Sequence, residues 1–207
     1  MRWRVIKRPT RLYGTVELQV RFFMPTEQRL DIFQTTDPEL LKAAFSLRRQ
    51  VWAALPGVDA QSALSGGLDD GFDDVGLHWV AVDGGSVVAS ARLCVCESIE
   101  SLPDAYVFVD AATEVPLSTS AINRLVVRSD YRGQGIASRL DRIRLAEAHA
   151  RGCASVTACW SPFSGLPRRS AIEALGFRPV LGGREHSARE PLRYLIGFCL
   201  RFEKPEL

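Results

Sequence analysis

The chain has 207 residues, 46% of them hydrophobic and 24% charged, and a formal net charge of +2. These values suit one well-buried globular domain and would cramp two. No apolar run approaches the roughly 18 residues of a membrane span, and so small a net charge argues against nucleic acid as the main partner.

Residues 1–29 hold seven Lys/Arg (Arg2, Arg4, Lys7, Arg8, Arg11, Arg21, Arg29) against Glu17 and Glu27. They read as a basic N-terminal extension, a solvated terminus before a domain over residues 30–207. No apolar run with a small-residue cleavage site follows Met1–Thr10, so the expected compartment is the cytoplasm. Thr15–Phe23 alternates enough for a strand, and Arg29–Gln34 reads as a second. A helix then starts at Thr36-Asp37-Pro38-Glu39, where Thr36 can cap, Glu39 can reply three residues on, and Pro38 suits the first turn. Leu41, Ala44, Phe45, Val51 and Leu55 form its apolar stripe, ended by Pro56-Gly57.

Asp59–Gly76 reads as an exposed loop whose aspartates, Asp69, Asp70, Asp73 and Asp74, are solvated surface. Leu77–Val82 and Ser86–Cys96 make a hairpin about Asp83-Gly84-Gly85. Tyr106–Asp110 is a candidate short strand, and Ala121–Val127 is an apolar strand carrying Asn123 and Arg124. Gly135–Ala150 has helical spacing at Ile136, Leu140, Ile143, Ala146 and Ala150, with Gly152 as its stop. Ser155–Trp160 is a strand, Arg168–Leu175 a short helix closed by Gly176, and Phe177–Leu181 and Arg193–Phe202 are the last strands. The expected class is α/β, one mixed sheet flanked by helices.

Cys94, Cys96, Cys153, Cys159 and Cys199 form no CxxC pair and no histidine stands beside them, so they read as reduced core residues and no metal site is expected. His78 reads as a core or edge histidine, and Trp52 and Trp160 as core aromatics. Arg92 and Arg124 interrupt apolar strands, where a charge must be paired or face a cleft. Two readings stay open for them: binding a substrate carboxylate or ordering the acidic loop, and structural pairing with a buried carboxylate.

The richest chemistry lies in Leu125-Val126-Val127-Arg128-Ser129-Asp130-Tyr131-Arg132-Gly133-Gln134-Gly135-Ile136-Ala137. A strand ends, a turn with two glycines follows, and a helix begins. Unpaired N–H groups and the dipole at a helix start attract anions, and glycine lets a phosphate approach closely. The turn lacks the Lys-Ser/Thr ending of a nucleotide P-loop and the GxGxxG spacing of a dinucleotide fold.

Arg132-x-x-Gly135-x-Ala137 resembles the Arg/Gln-x-x-Gly-x-Gly/Ala signature of the GCN5-related N-acetyltransferases, the GNAT superfamily. Ala174-Leu175-Gly176-Phe177 looks like the family's second signature, and the likeness extends over about residues 30–202. The resemblance implies a twisted mixed sheet splayed between Ala121–Val127 and Ser155–Trp160. It implies that Arg132, Gly133, Gln134, Gly135, Ile136 and Ala137 hold the coenzyme A pyrophosphate. The backbone of Leu125, Val126 and Val127 would pair with the pantetheine arm and polarise the thioester. Acetyl-CoA is then the cosubstrate and a small-molecule amine or amino acid the acceptor. GNAT relatives are often dimers, and Thr15–Phe23 or the last strand offers an edge.

The sequence departs from the family at one position. The tyrosine that often protonates the leaving thiolate, four residues before the glycine of the second signature, is Ile172 here, so the catalytic acid and base stay unassigned. Leu47–Trp52, the acidic loop, Ala91-Arg92-Leu93 and Arg124-Leu125 are also similar to acyl-homoserine-lactone and N-acyl amino acid synthases, which take an acyl-carrier protein as donor. That gives a second reading, and a non-catalytic acyl-CoA-binding module a third.

Overall fold

The computed structural model describes residues 30–55, 58–67, 69–161, 166–180, 184–185 and 194–203. Thr15–Phe23 and the rest of residues 1–29 lie outside them. The elements are β1 (Asp31–Thr35), α1 (Pro38–Ala53), α2 (Ala60–Leu64), β2 (Leu77–Asp83), β3 (Ser86–Cys96), β4 (Thr119–Val127), α3 (Ile136–Ala150), β5 (Ser155–Trp160), α4 (Leu166–Ala174), β6 (Arg178–Pro179), β7 (Arg184–Glu185) and β8 (Tyr194–Arg201). They form a mixed sheet in the order β1-β2-β3-β4-β5-β8-β6, with β7 paired to β8.

The first four strands run antiparallel as a meander, and β8 pairs antiparallel along all of β5. The two halves meet at a parallel junction of β4 and β5, which reaches only from Thr119↔Ser155 to Ala121↔Thr157. Alternation along β3 sends Ala91 and Leu93 into one core with Ile136 and Leu140 of α3. Cys94 and Cys96 face a second core with Val107, Phe108 and Cys199. Burial on both faces explains why β3 reads as a nearly unbroken apolar run. The five cysteines are free thiols, four buried and Cys159 partly so.

Local chemistry moves several expected boundaries. Asp37, not Thr36, caps α1: its Oδ1 accepts from the Glu39 and Leu40 N–H groups, while Thr35 Oγ1 accepts from Asp37 N–H. Asp59–Gly76 is not simply exposed loop, since it contains α2, capped by Asp59, and a 3₁₀ turn at Gly71–Asp73 capped by Asp70. Tyr106–Asp110 is not a strand. Two 3₁₀ segments, Ala105–Val107 and Val109–Glu114, place neighbours Val107 and Phe108 in the core together, which an alternating strand would not do.

Candidate active site

The cleft originates in an irregularity of β4. Ser90 pairs with Val126 and Arg92 with Asn123, so β4 has one residue more than β3 across this stretch. Arg124 absorbs the bulge with a left-handed backbone, φ 54°. Beyond Ala121, β4 has no β5 partner, whereas β5 continues along β8 to Trp160. The strands part, and a cleft of about 620 Å³ opens between them.

Leu125, Val126, Val127, Arg132, Gly133, Gly135, Ile136 and Ala137 all line that cleft. Gln134 does not; its amide nitrogen donates to the Asp130 carbonyl at 3.4 Å. Gly133 and Gly135 have φ of 78° and 76°, and a Cβ on either would meet open space. Among the described residues, the N–H groups of Gly133 to Ser138 donate to no backbone carbonyl, which leaves a row of donors at the start of α3. Tyr131 anchors the turn to the end of β2 through a 2.5 Å hydrogen bond to Asp83.

Arg124 lines the cleft and Arg92 does not. Arg92 is fully buried, donating from Nη1 and Nη2 to Asp70, from Nη1 to Asp73 at 2.8 Å, and from Nε to Asn123 Oδ1 at 2.9 Å. All three of its side-chain nitrogens thus bond within the protein, two of them to carboxylates of the acidic loop. Arg124 pairs with Asp70 Oδ2, which Arg92 Nη2 also reaches, and stacks over Trp52 at 4.8 Å. Arg48, buried on α1, completes the network by bonding Asp73 at 2.8 Å. Within the acidic loop Asp69 and Asp74 are exposed, as expected, but Asp70 and Asp73 are half-buried between arginines of α1, β3 and β4. Burial pushes the Asp70 carboxyl up, but the hydrogen bond from Arg92 and the charge of Arg124 outweigh it and hold it far below the usual carboxylate range.

His78 is a core residue with Nε2 2.9 Å from the Asp73 carbonyl oxygen, and burial lowers its pKa. Trp160 is buried as expected, whereas Trp52 forms part of the cleft wall. Ile172 lies wholly in the core, and α4 presents Pro167, Arg168 and Ala171 to the cleft instead.

The sequence reading missed a buried trio behind the cleft. Asp141 and Arg144 on α3 are fully buried, and Arg168 reaches Asp141 from α4. Arg144 Nη1 donates to the carbonyls of Arg92 and Asn123, at 2.9 and 3.0 Å, where the bulge interrupts the ladder. Burial pulls the Arg144 guanidinium down to about 10 against the attraction of Asp141. The signal was present: Ile136, Leu140, Arg144 and Ala148 recur every four residues, placing a charge on a buried helical row.

A model of the acetyltransferase (GNAT) family matches residues 44–177. The chain belongs to the GNAT acetyltransferase family. It is accordingly an acyltransferase, against the alternative of a non-catalytic binding module. The GNAT fold is matched by solved structures of low identity. The ribosomal-protein-S18-alanine N-acetyltransferase of Escherichia coli aligns with TM-score 0.58 at 18% identity, over 86% of this chain and 98% of that one. An IAA acetyltransferase from Bacillus cereus ATCC 14579 aligns with TM-score 0.54 at 16% identity, over 84% and 99%. FeeM, an N-acyl amino acid synthase from uncultured soil microbes, aligns with TM-score 0.61 at 12% identity, over 84% and 91%. No curated protein matches the sequence significantly. No described helix of this GNAT chain is long and apolar enough to cross a membrane, and no metal-holding group of His, Cys, Asp or Glu occurs among the described residues.

Proposed function

We propose that this chain transfers an acetyl group from acetyl-CoA to a primary amine of a small molecule or amino acid. The observation that carries the reading is the glycine turn. Two left-handed glycines with open space in front and a run of unpaired N–H groups suit a pyrophosphate at the head of a cleft. Arg132 to Ala137 would hold the phosphates, and the open edge of β4 at Leu125 to Val127 would receive the pantetheine arm. An N–H there would polarise the thioester carbonyl for attack by the neutral amine.

The test is thermal shift with acetyl-CoA, longer acyl-CoAs and free coenzyme A. A ligand that binds only the folded chain raises its melting temperature by mass action. Gly135→Val crowds the cradle and forces a β-branched residue to positive φ, so it should abolish the shift. Absence of stabilisation of the wild type at millimolar ligand would sink the reading.

A second reading is an acyl-carrier-protein-dependent N-acyl amino acid or acyl-homoserine-lactone type synthase. The network of Arg48, Arg92 and Arg124 with Asp70 and Asp73 favours it, because it builds an ordered charged wall beside Arg124 and Trp52. Saturable binding of acyl-carrier protein, with preference for longer acyl chains, would select this reading; its absence together with acetyl-CoA binding would reject it.

A further inference from the structure

The trio behind the cleft carries unequal charge. Asp141 Oδ1 accepts from Arg144 Nη2 at 2.5 Å and from Arg168 Nη2 at 3.1 Å, and its Oδ2 accepts from Arg168 Nη1. Arg144 directs its remaining donors to backbone: Nη1 to the Arg92 and Asn123 carbonyls, Nε to the Leu140 carbonyl at 3.3 Å. One carboxylate thus faces two guanidinium groups, and a positive charge within these three side chains is left over. Such an excess is costly in the interior and is tolerated where it meets water or an anion. Arg168 is the member that can do so, because its side chain is 22% exposed and lines the cleft.

The depth of Arg168 narrows which anion it meets. Arg144 grips the Asn123 carbonyl, so the trio stands level with the bulge of β4 rather than with the glycine turn. Asp141 lies five residues into α3, about 7.5 Å along the axis from Ile136 at the usual rise. An acyl-CoA with its pyrophosphate at the turn and its arm along β4 brings its sulfur end, not its phosphates, toward this level. Of the other cations lining the cleft, Arg124 shares Asp70 with Arg92, within a network of three arginines and two aspartates, and Arg132 stands at the glycine turn, its Nε donating to the Val127 carbonyl.

We propose that Arg168, aimed by Asp141, stabilises the thiolate that leaves during acyl transfer. The amine nitrogen forms the new C–N bond at the thioester carbonyl carbon, the C–S bond breaks, and its electron pair stays on sulfur facing the guanidinium. The surplus proton on nitrogen passes to water, and the thiolate takes up a proton from solvent as free coenzyme A departs. Arg168 is thereby a catalytic residue and Asp141 a positioning residue.

The inference rests on the acyl-CoA reading, and one experiment separates the two. Free coenzyme A is bound to the full chain, and its thiol is titrated by thiolate ultraviolet absorbance, with the ligand-free protein subtracted so that Cys159 and the other thiols cancel. The bound thiol should ionise about one pH unit or more below free coenzyme A, as expected beside an opposite charge. Arg168→Met should return it to the free value, and Arg168→Lys should keep part of the shift. Arg168→Gln, which can still hydrogen-bond Asp141, replaces the Met variant if that chain does not fold. Binding with an unshifted thiol in the wild type overturns the inference alone, as does a shift that survives removal of the charge at Arg168. Failure to bind coenzyme A at all overturns the acyl-CoA reading with it.

Discussion

At the scale of single residues, the organising fact is that every buried charge near the cleft has a partner supplied by another element. Arg92 and Arg124 were legible as charges needing partners, because each interrupts an apolar strand. The acidic loop stood among the possible partners, but spacing could not select it, because Asp69 to Asp74 also looks like a solvated run and only the fold brings Asp70 and Asp73 against α1, β3 and β4. The depressed pKa of Asp70 has a definite sign. Its stabilising contribution is fully present above about pH 4, the ordinary carboxylate range, and is lost as the pH falls toward the folded value, because the unfolded chain then takes up the proton first. The stability gap between wild type and Asp70→Asn in urea unfolding should therefore shrink on acidification below about pH 4. A gap that stays constant to lower pH would contradict the assignment.

At the scale of elements, α3 and β4 are locked together by polar chemistry inside an apolar interface. The apolar stripe expected for α3 ran from Ile136 and Leu140, both buried, through Ile143 and Ala146 to Ala150. The row that is buried runs through Ile136, Leu140, Arg144 and Ala148. Counting apolar residues passes over an arginine on a core row, since only the bulged carbonyls of Asn123 and Arg92 explain its presence there. Asp141→Asn removes the carboxylate charge and leaves Arg144 and Arg168 without it. Breaking a buried pair from one side typically costs about 3–5 kcal/mol, so a clear fall in the urea midpoint is expected. A loss under about 1 kcal/mol would mean that solvent reaches the trio far better than its burial indicates. The conformation of the glycine turn, by contrast, was legible locally, because left-handed glycines and an exposed helix start need no distant partner.

At the scale of the whole molecule, α/β alternation predicted the sheet but not the extent of its split. The length of the β4–β5 junction depends on how β4 bulges and where β8 completes β5, and neither is written in local spacing. Hydroxyl groups reinforce the short seam: Ser155 Oγ lies 2.7 Å from the Pro116 carbonyl and 2.8 Å from Thr119 Oγ1, and Thr157 Oγ1 donates to the Ser120 carbonyl at 3.1 Å. Coenzyme A lying along β4 should slow amide hydrogen exchange in Leu125–Val127, and unchanged exchange at saturating ligand would show that the arm lies elsewhere. Mechanically, the seam makes the protein two stiff plates sharing a pivot three rungs long. An occupant of the gap bridges both plates at a distance from that pivot, where its leverage is greatest. Binding should thus brace the entire sheet against twisting, and a cosubstrate would double as a temporary structural beam.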